Sequence, residues 1–477
     1  MGSSIEKTQF DKFFKAKSVA VIGASSKPGK IGYEVLRNLT CFEYKGKVFP
    51  VNPARNEILG LKCYPSVLDI PEKIDLAVLV IPAEYTPKVV EECGKKGIKN
   101  IVIISGGFKE LGEHGKELEE KTAEIARKYG IRIIGPNCIG VFDSKTRLDT
   151  FFQSRERMIR PPPGPIAFLT QSGTYGCAFL EWAAESGIGI SKFVSYGNRI
   201  DVDEADLLRY LVADEDTKVI AIYLEGLGNG KKFIEAAKEV VKKKPVIVLK
   251  GGRTKEGAKA AQSHTGWLGG EERIYRGAFK QAGIIWADTF EELFDMAKAL
   301  AMQPPAQGPG VAMVSNGAGP MVQAVDACIE KGLKIARLSQ ETISKLKEKL
   351  PPFYIVSNPV DVTGSANSKD YKIVLEAFLE DINVHILMPF FVFQDTPLDE
   401  GIIDVMKEIN EKSNKPIVVG AAGGPYTRKM SKVLEKIGIP VYPIPERAVA
   451  AAYALYSYGK IKEKAAEQKL EGRRETL

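Results

Sequence analysis

V-A-V-I-G-A-S-S-K-P-G-K-I-G-Y-E-V (19–35) joins a short apolar run to an amphipathic segment through a loop that contains three glycines. The apolar run predicts a buried strand, and the segment after the loop predicts the start of a helix. Glycines let a backbone approach a phosphate, and the free amides of a helix N-terminus receive its charge. The stretch therefore predicts a phosphate-binding loop, with a plain tight turn as the alternative. Its candidate ligand residues are Gly23, Ala24, Ser25, Ser26, Gly29, Lys30, Ile31 and Gly32.

The residues that follow repeat this alternation of apolar strands and amphipathic helices. Further strands are predicted at 47–52, 76–82, 101–106 and 131–135. Apolar strands separated by helices predict a parallel sheet covered on both faces, and hence an α/β fold. Ligands bind outside the carboxyl ends of such strands. The loops expected to line that crevice are I-P-A (81–83), S-G-G-F (105–108) and G-P-N-C-I-G (135–140).

The end of the second predicted strand indicates which nucleotide this sheet binds. A fold that binds NAD places Asp or Glu there for the ribose hydroxyls. Here the strand runs V-F-P-V-N-P and ends on Asn52 and Pro53. This argues against NAD and favours another phosphate-bearing nucleotide, such as coenzyme A.

Two proline-rich stretches, 158–165 and 301–310, interrupt the chain, and the alternation of strands and helices restarts after each. Proline clusters of this kind mark linkers or domain edges. We therefore predict three domains, at 1–160, 161–304 and 305–477, the last with a charged C-terminal tail. The strands predicted in the second and third domains are 165–170, 192–196, 219–225, 245–250, 311–316, 333–338, 385–390 and 416–421.

Composition restricts the class of protein. The 477 residues are 44% hydrophobic and 27% charged, which is typical of a soluble globular protein, and no signal peptide or membrane-spanning run is predicted. The net charge of +7 is spread without a basic block, so nucleic-acid binding is not expected. The six cysteines form no C-x-x-C pair, which predicts neither a zinc site nor disulfides and favours the cytoplasm. Cys138 is expected to pack rather than to act as a nucleophile.

Two further strand-to-helix turns predict anion sites, because hydroxyls and free amides at a helix N-terminus can cradle a phosphate. The alternative is that each turn only caps its helix. Two such turns in separate domains could also face one anion from opposite sides. The residues at the turns are Ser172, Gly173 and Thr174 in the second domain and Asn316, Gly317, Ala318 and Gly319 in the third.

The stretch A-A-Q-S-H-T-G-W-L-G-G (260–270) places His264, one of only three histidines, among small and polar residues. A neutral imidazole is a good phosphoryl acceptor, and small neighbours would admit a phosphate. Glu225, at the end of a predicted strand, could hold the other ring nitrogen and select the tautomer. By itself His264 could equally be a loop histidine. His114 is expected in a solvated loop and His385 at the start of a buried strand.

These motifs together resemble one family, over a range from about Lys17 to Tyr458. The chain is similar to the α subunits of archaeal-type ADP-forming acetyl-CoA synthetases, in the superfamily of NDP-forming acyl-CoA synthetases that includes succinyl-CoA synthetase. The resemblance implies a Rossmann-like CoA-binding domain followed by two flavodoxin-like domains. It rests on V-I-G-A-S-S-K-P-G-K-I-G, V-N-P, I-G-P-N-C-I-G, T-Q-S-G-T, S-Y-G-N, Q-S-H-T-G, S-N-G-A-G-P, N-P-V-D-V-T-G and I-P-E-R-A-V-A-A.

The resemblance also implies roles for individual residues. His264 would be phosphorylated transiently, and Glu225 would orient it. The phosphate would be held by Ser172–Thr174, Asn316–Gly319 and Gly266. Trp267 stands where the family commonly has a small residue, which leaves the acyl preference open. The implied CoA ligands are the loop 23–32 together with Asn52, Pro53, Pro82, Ser105, Gly106 and Asn137.

The implied reaction is reversible and converts acyl-CoA, by default acetyl-CoA, with phosphate and ADP to the acid, CoA and ATP. It passes through an acyl phosphate and a phosphohistidine. The sequence has no G-x-x-x-x-G-K-[ST] motif and no recognisable ATP-grasp domain, so we expect a separate β subunit that holds ADP and Mg²⁺, in an α2β2 complex. No metal ligands are assigned to this chain. The alternatives are a non-catalytic CoA-binding sensor and an NAD(P)-dependent oxidoreductase.

Overall fold

The computed structural model describes residues 8–259 and 271–474. The chain divides into two compact units, Met1–Trp286 and Ala287–Leu477. The first unit contains two large sheets, and the second contains one. No helix in the described ranges is long and apolar enough to cross a membrane. The α/β fold class predicted from the alternating pattern is confirmed.

The first sheet is parallel and has the strand order β2-β1-β5-β6-β7. Because β1 lies between β2 and β5, the chain winds in opposite directions on its two sides, which creates a crevice at the carboxyl ends. The strands are β1 (Ser18–Ile22), β2 (Lys47–Val51), β5 (Leu76–Leu79), β6 (Asn100–Ile103) and β7 (Arg132–Ile134), with a small hairpin β3 (Glu57–Ile58) and β4 (Leu61–Lys62). The helices are α1 (Ile31–Thr40), α2 (Thr86–Lys96) and α3 (Glu113–Tyr129).

The second sheet has seven strands in the order β14-β13-β12-β10-β11-β8-β9. The strands β13, β12, β10 and β11 are parallel, as predicted, whereas β8 runs antiparallel to β11 and β9 antiparallel to β8. The strands are β8 (Gly140–Asp143), β9 (Leu148–Asp149), β10 (Pro163–Thr170), β11 (Ile190–Ser195), β12 (Val219–Leu224), β13 (Val246–Lys250) and β14 (Ile285–Ala287). The helices are α4 (Gly173–Glu185), α5 (Glu204–Val212), α6 (Gly230–Val240) and α7 (Glu272–Ala282).

Strands β8 and β9 were not predicted, and they join the second sheet although they precede residue 160. Each strand is short, so neither shows the apolar run or the apolar and polar alternation that predicts a strand. The domain boundaries drawn at the proline-rich stretches stay a prediction.

The sheet of the second unit has the order β16-β15-β18-β19-β20, with β17 paired to β15, and all these pairs are parallel. The strands are β15 (Gly310–Ser315), β16 (Lys334–Ile335), β17 (Val360–Asp361), β18 (Ile386–Phe390), β19 (Val419–Gly420) and β20 (Val441–Tyr442). The helices are α8 (Phe290–Met302), α9 (Ala318–Glu330), α10 (Gln340–Lys349), α11 (Ser368–Glu380), α12 (Ile402–Lys412), α13 (Pro425–Lys436) and α14 (Pro445–Arg474).

A buried charge cluster joins strand β11 to the antiparallel strand β8. Lys192 of β11 is 0% exposed and lies opposite Asp143 of β8 in the strand register. Its Nζ is 3.3 Å from an Asp143 carboxylate oxygen and 2.9 Å from both carboxylate oxygens of Asp214. A buried lysine needs such partners, because an isolated charge in a protein interior is strongly unfavourable.

We expect Lys192→Met to lower the free energy of unfolding by about 3 to 5 kcal/mol, because it leaves two buried carboxylates without their cation. Chemical denaturation monitored by circular dichroism measures this loss. Lys145→Met is the matched control, since Lys145 pairs with Asp216 of the same cluster at 2.8 Å but its side chain is 68% exposed. The control should lose less than about 1 kcal/mol. Equal losses in the two variants would contradict this account.

Candidate active site

The predicted phosphate loop is packed so closely that two of its glycines accept no side chain. A Cβ on Gly23, which has a φ of +92°, would lie 2.2 Å from the carbonyl oxygen of Val80. A Cβ on Gly32 would lie 2.1 Å from the carbonyl oxygen of Gly23. Lys30 is the N-cap residue of α1, and its side chain is exposed. The loop thus presents backbone and a cation at a helix N-terminus, as an anion site requires.

The end of β2 supports this loop from the side. The Asn52 side-chain amide donates a 2.8 Å hydrogen bond to the carbonyl oxygen of Ala24, and its oxygen accepts 2.8 Å from the Ala54 amide. The position where an NAD-binding fold has an acid therefore carries an amide that holds the loop backbone.

The other strand ends of the first sheet meet at the same carboxyl edge. Ser105 and Gly106 follow β6, and Asn137 follows β7. A Cβ on Gly106 would lie 3.3 Å from the Asn137 side-chain oxygen, so these two predicted ligands are neighbours. Pro82 follows β5 and is exposed.

The Glu110 side chain stabilises the turn that follows β6. It accepts 2.6 Å from the Gly107 amide and 3.1 Å from the Phe108 amide. Asn198 of the S-Y-G-N motif donates to it at 2.6 Å. Burial raises the pKa of Glu110, but these hydrogen bonds outweigh burial and hold the pKa below its ordinary value. The carboxylate is therefore ionised at neutral pH and acts as an acceptor.

The S-Y-G-N motif connects the first sheet to the second. The Asn198 amide donates 2.9 Å to the carbonyl oxygen of Pro136, and a Cβ on Gly197 would lie 2.1 Å from that same oxygen. Cys138 is buried, its thiol hydrogen-bonds the carbonyl oxygen of Ile103, and burial raises the pKa of the thiol to about 12. A thiol with that pKa stays protonated at neutral pH, which fits the predicted packing role.

A cavity of about 610 Å³ lies beside the phosphate loop. Its wall includes Gly29 of the loop and Cys177 of α4, so it extends from the phosphate loop to the helix that follows β10. The remaining residues that line it are Glu34, Phe152, Gln153, Ser154, Arg157, Met158 and Glu181.

The first predicted cradle is the N-terminus of α4. Ser172 is the N-cap residue, and its hydroxyl accepts from the Tyr175 amide at 3.4 Å. The Thr170 hydroxyl donates 2.8 Å to the Ser172 carbonyl oxygen and accepts 3.0 Å from the Ser172 amide. The amides of Gly173 and Thr174 lie at the open end of the helix, where a helix leaves its first-turn donors without intrahelical partners.

Glu225 follows β12, next to this cradle. Strands β10 and β12 are neighbours in the sheet, with Thr170 opposite Tyr223. Glu225 is 8% exposed and hydrogen-bonds the Tyr223 hydroxyl. The Tyr223 ring in turn lies 4.5 Å from that of Tyr175, which is in the first turn of α4. Ser172 and Glu225 are 53 positions apart in the chain, and the sheet brings them together at one edge.

Gln171 holds the Glu225 turn. Its side-chain oxygen accepts from the amides of Glu225 and Gly226, the latter at 3.0 Å, and its nitrogen donates 3.1 Å to the Gly226 carbonyl oxygen. Gln171 lies inside the quoted T-Q-S-G-T motif but was not assigned a role. The signal that could have found it is an amide side chain placed between a strand end and a helix cap.

Arg199 is a second support that sequence reasoning missed. Its guanidinium donates 2.7 Å to Glu204 and 2.5 Å to the Gly226 carbonyl oxygen, and Arg199 and Glu204 are 8% and 2% exposed. Burial raises the pKa of Glu204, and the Arg199 guanidinium opposes that shift. Arg199 follows the S-Y-G-N motif directly, so the motif also anchors the Glu225 turn.

The second predicted cradle repeats this design in the other unit. The Ser315 hydroxyl donates 2.7 Å to the Gly317 carbonyl oxygen and accepts 3.0 Å from its amide, as Thr170 does with Ser172. Asn316 is 2% exposed, and its side-chain amide forms hydrogen bonds with Tyr371, Val392 and Asp395. The Asn316 side chain is therefore a support, like Gln171. Ala318 and Gly319 are exposed at the start of α9.

The remaining histidines take no part in this arrangement. His114 is exposed in the first turn of α3, and the half-buried His385 accepts 3.2 Å from the Gly310 amide just before β18. His264, Gly266 and Trp267 lie outside the described residues, so their predicted roles stay predictions. Among the residues described, no group of three or more His, Cys, Asp or Glu side chains could hold a metal ion.

Family models match nearly the whole chain in three consecutive parts. A CoA binding domain matches residues 17–143, a succinyl-CoA ligase like flavodoxin domain matches 163–300, and a ligase-CoA domain matches 311–465.

Individual relatives agree with these matches. The chain is 45% identical to the acetate–CoA ligase [ADP-forming] I subunit alpha of Pyrococcus furiosus, over 96% of this chain and 99% of that protein. It is 45% identical to the acetate–CoA ligase [ADP-forming] of Methanocaldococcus jannaschii, over 94% of this chain but only 63% of that longer protein. A solved structure of an acetyl-coenzyme A synthetase 1 from Ca. Korarchaeum cryptofilum, in complex with phosphate and ADP, has a TM-score of 0.87 and 40% identity and covers 95% of this chain and 97% of that chain.

Proposed function

Because this chain belongs to the ADP-forming acetate–CoA ligases as an α subunit, we propose that it transfers a phosphoryl group from an acyl phosphate to ADP through His264. The observation that carries the proposal is the edge of the second sheet, where the Ser172 turn and Glu225 adjoin. The next strand along this edge, β13, leads into the segment that contains His264. The family, the fold class and the ligase activity predicted from the sequence are confirmed. The roles of individual residues are proposals.

The proposed reaction has three steps. A phosphate oxygen attacks the thioester carbonyl carbon, the C–S bond breaks, and acyl phosphate and CoA form. A nitrogen of neutral His264 then attacks the phosphorus, and the P–O bond to the acyl group breaks to release the carboxylate. Finally, a terminal oxygen of ADP attacks the phosphohistidine to give ATP and the neutral imidazole.

The described residues supply positioning and positive dipoles for these steps. The open amides of Gly173 and Thr174 would stabilise the negative oxygens of the transferring group, as helix N-termini do. The Glu225 carboxylate would accept from the N–H of His264 and hold the tautomer whose other nitrogen attacks. We propose that Ala318 and Gly319 supply a second set of amides of the same kind.

CoA would bind to the first sheet, with its pyrophosphate at the loop 23–32 and its thioester arm in the cavity between Gly29 and Cys177. The tight packing of Gly32 supports this assignment, since it keeps the loop backbone against the start of α1. The NAD(P)-dependent oxidoreductase is disfavoured, because Asn52 occupies the ribose-acid position and holds the loop.

We expect Gly32→Ala to weaken CoA binding at least about 10-fold, equivalent to ~1.4 kcal/mol, because the added Cβ displaces the loop from α1. Isothermal titration calorimetry with CoA measures the change. Gly230→Ala is the matched control, since Gly230 also begins a helix but has no heavy atom within 4 Å of an added Cβ. Unchanged affinity in Gly32→Ala would place the CoA site elsewhere.

A partner subunit completes the enzyme, since a relative of this length is named as an α subunit and a longer relative contains a region similar to this chain as part of one protein. We propose that the partner carries an ATP-grasp domain, binds ADP with Mg²⁺ and forms an α2β2 complex. No step is assigned to Mg²⁺ on this chain. The cytoplasmic location stays a prediction.

The test of the proposed function is phosphorylation of the full chain. The chain is mixed with acetyl-CoA and radiolabelled phosphate, alone and with the partner subunit, and an acid-labile, base-stable label is measured. Label on the chain supports the proposal. A chain that binds CoA but stays unlabelled with several acyl-CoAs would favour the non-catalytic sensor instead.

A further inference from the structure

Lys250 is a buried cation at the edge of the second sheet that the proposed steps do not use. It is the last residue of β13 and is 1% exposed. In the strand register it lies opposite Leu224, the residue before Glu225. Lysine is almost never fully buried unless its ammonium group has partners.

The partners of Lys250 are the backbones of two neighbouring strand ends. Its Nζ donates 2.7 Å to the carbonyl oxygen of Glu225 and also donates to the carbonyl oxygen of Gly251. The ring of Tyr275, on α7, lies with its centroid 4.8 Å from the same Nζ. One ammonium group thus joins the candidate orienting glutamate to the first residue after β13, from which the chain continues to His264.

Two other side chains, those of Gln171 and Arg199, also hold the Glu225 turn. Gln171 and Arg199 both bind Gly226, from the directions of β10 and α5. Lys250 hydrogen-bonds both Glu225 and Gly251. Its loss would therefore leave the turn formed but free to move against the start of the histidine segment.

We propose that Lys250 is a positioning residue for phosphoryl transfer. It keeps Glu225 at a fixed separation from Gly251, the residue after β13 from which the chain continues to His264. This rests on the proposed function. Geometry of this kind matters because a displacement of about 1 Å in a reacting group can cost about 10²-fold in rate.

The charge of Lys250 changes within an accessible pH range. Burial lowers its pKa to about 8, and the Glu225 carboxylate opposes that shift. The Tyr275 ring faces it, and Tyr223 hydrogen-bonds Glu225; burial raises the pKa of both tyrosines, so neither loses a proton near pH 8. The ammonium form is present below about pH 8 and is lost above it. We expect the rate of label formation in the wild type to fall as the pH rises through this value.

The test compares Lys250→Met, Glu225→Gln and the double variant, using the full chain with its partner subunit. At pH 7 we expect Lys250→Met to form the phosphohistidine label at least about 10-fold more slowly, with the dissociation constant for CoA changed less than about 2-fold. If Lys250 acts through Glu225, the double variant should be no slower than Glu225→Gln alone, because coupled residues are non-additive. The fall in rate above pH 8 should vanish in Lys250→Met.

Lys244→Met is the matched control, since Lys244 precedes the same strand and its Nζ also donates to two backbone carbonyl oxygens, of Leu211 and Asp214, at the opposite edge. It should label at the wild-type rate. If Lys250→Met does not fold, Lys250→Gln keeps an amide donor and is measured instead. Labelling of Lys250→Met at the wild-type rate, a fall in rate above pH 8 that persists in Lys250→Gln, or losses that multiply in the double variant would overturn the proposal. An unlabelled wild type would overturn the proposed function itself.

Discussion

Replacing His264 by alanine is expected to abolish the phosphohistidine label and to reduce ATP formation from acyl-CoA by a factor on the order of 10⁶, as removal of a nucleophile does in other enzymes. The reason is chemical, since in the proposed scheme the imidazole of His264 is the acceptor of the phosphoryl group. Acyl phosphate formation does not need the imidazole in the proposed scheme. Release of free CoA in a single turnover should therefore persist.

His114→Ala is the control for this prediction, because His114 is exposed on α3 and lies 4.0 Å from the exposed Glu117 of the same helix. It should keep wild-type labelling and activity. If His264→Ala retained the label, the phosphorylated residue would be another one, and the assignment of the histidine segment would fall.

Glu225→Gln is expected to slow phosphohistidine formation by up to about 10⁴-fold, the loss found when the carboxylate that orients a catalytic histidine is replaced by an amide. The glutamine has the same shape and can still accept a hydrogen bond from the Tyr223 hydroxyl, so the fold should survive. What changes is the tautomer, because the amide no longer favours the imidazole with its N–H towards residue 225. Rapid-quench measurement of the label gives the rate directly.

Thermal unfolding and CoA affinity separate this effect from a folding defect. Both should stay within error of the wild type in Glu225→Gln. The exposed Glu235 on α6 provides a matched Glu235→Gln control with no expected effect. A Glu225→Gln variant that labels at the wild-type rate would show that Glu225 only holds the turn, together with Gln171.

Much of the fold was predictable because its signals are local. The parallel strands of the first sheet and the four parallel strands of the second follow from short apolar runs separated by helices. The glycines of the phosphate loop were equally visible, since a strand followed by a glycine-rich turn and a helix has few alternatives. Strands β8 and β9 were missed because both are short, and the buried contact of Asp143 with Lys192 joins residues that are far apart in the chain.

The candidate site divides in the same way. Ser172, Glu225 and His264 could be singled out from residue type and position, and the resemblance to one family gave each a role. Gln171, Arg199 and Lys250 could not, because a glutamine, an arginine or a lysine in a sequence is ordinarily a solvated side chain. Asn316 was predicted as a phosphate ligand, yet its side chain is committed to internal hydrogen bonds.

The sequence by itself determined the family, the α/β fold class and the ligase activity, because these depend on motifs and periodicities that lie within a few neighbouring residues. Only the tertiary structure decided which side chains support the site. Parallel strands bring Thr170, Tyr223 and Lys250 to one sheet edge although the chain separates them by up to 80 positions. Burial at that edge lowers the pKa of Lys250 to about 8. The neighbouring strand end provides the carbonyl oxygen of Glu225 as its hydrogen-bond acceptor. Register and desolvation are properties of the assembled sheet, so they appear only once the chain has folded.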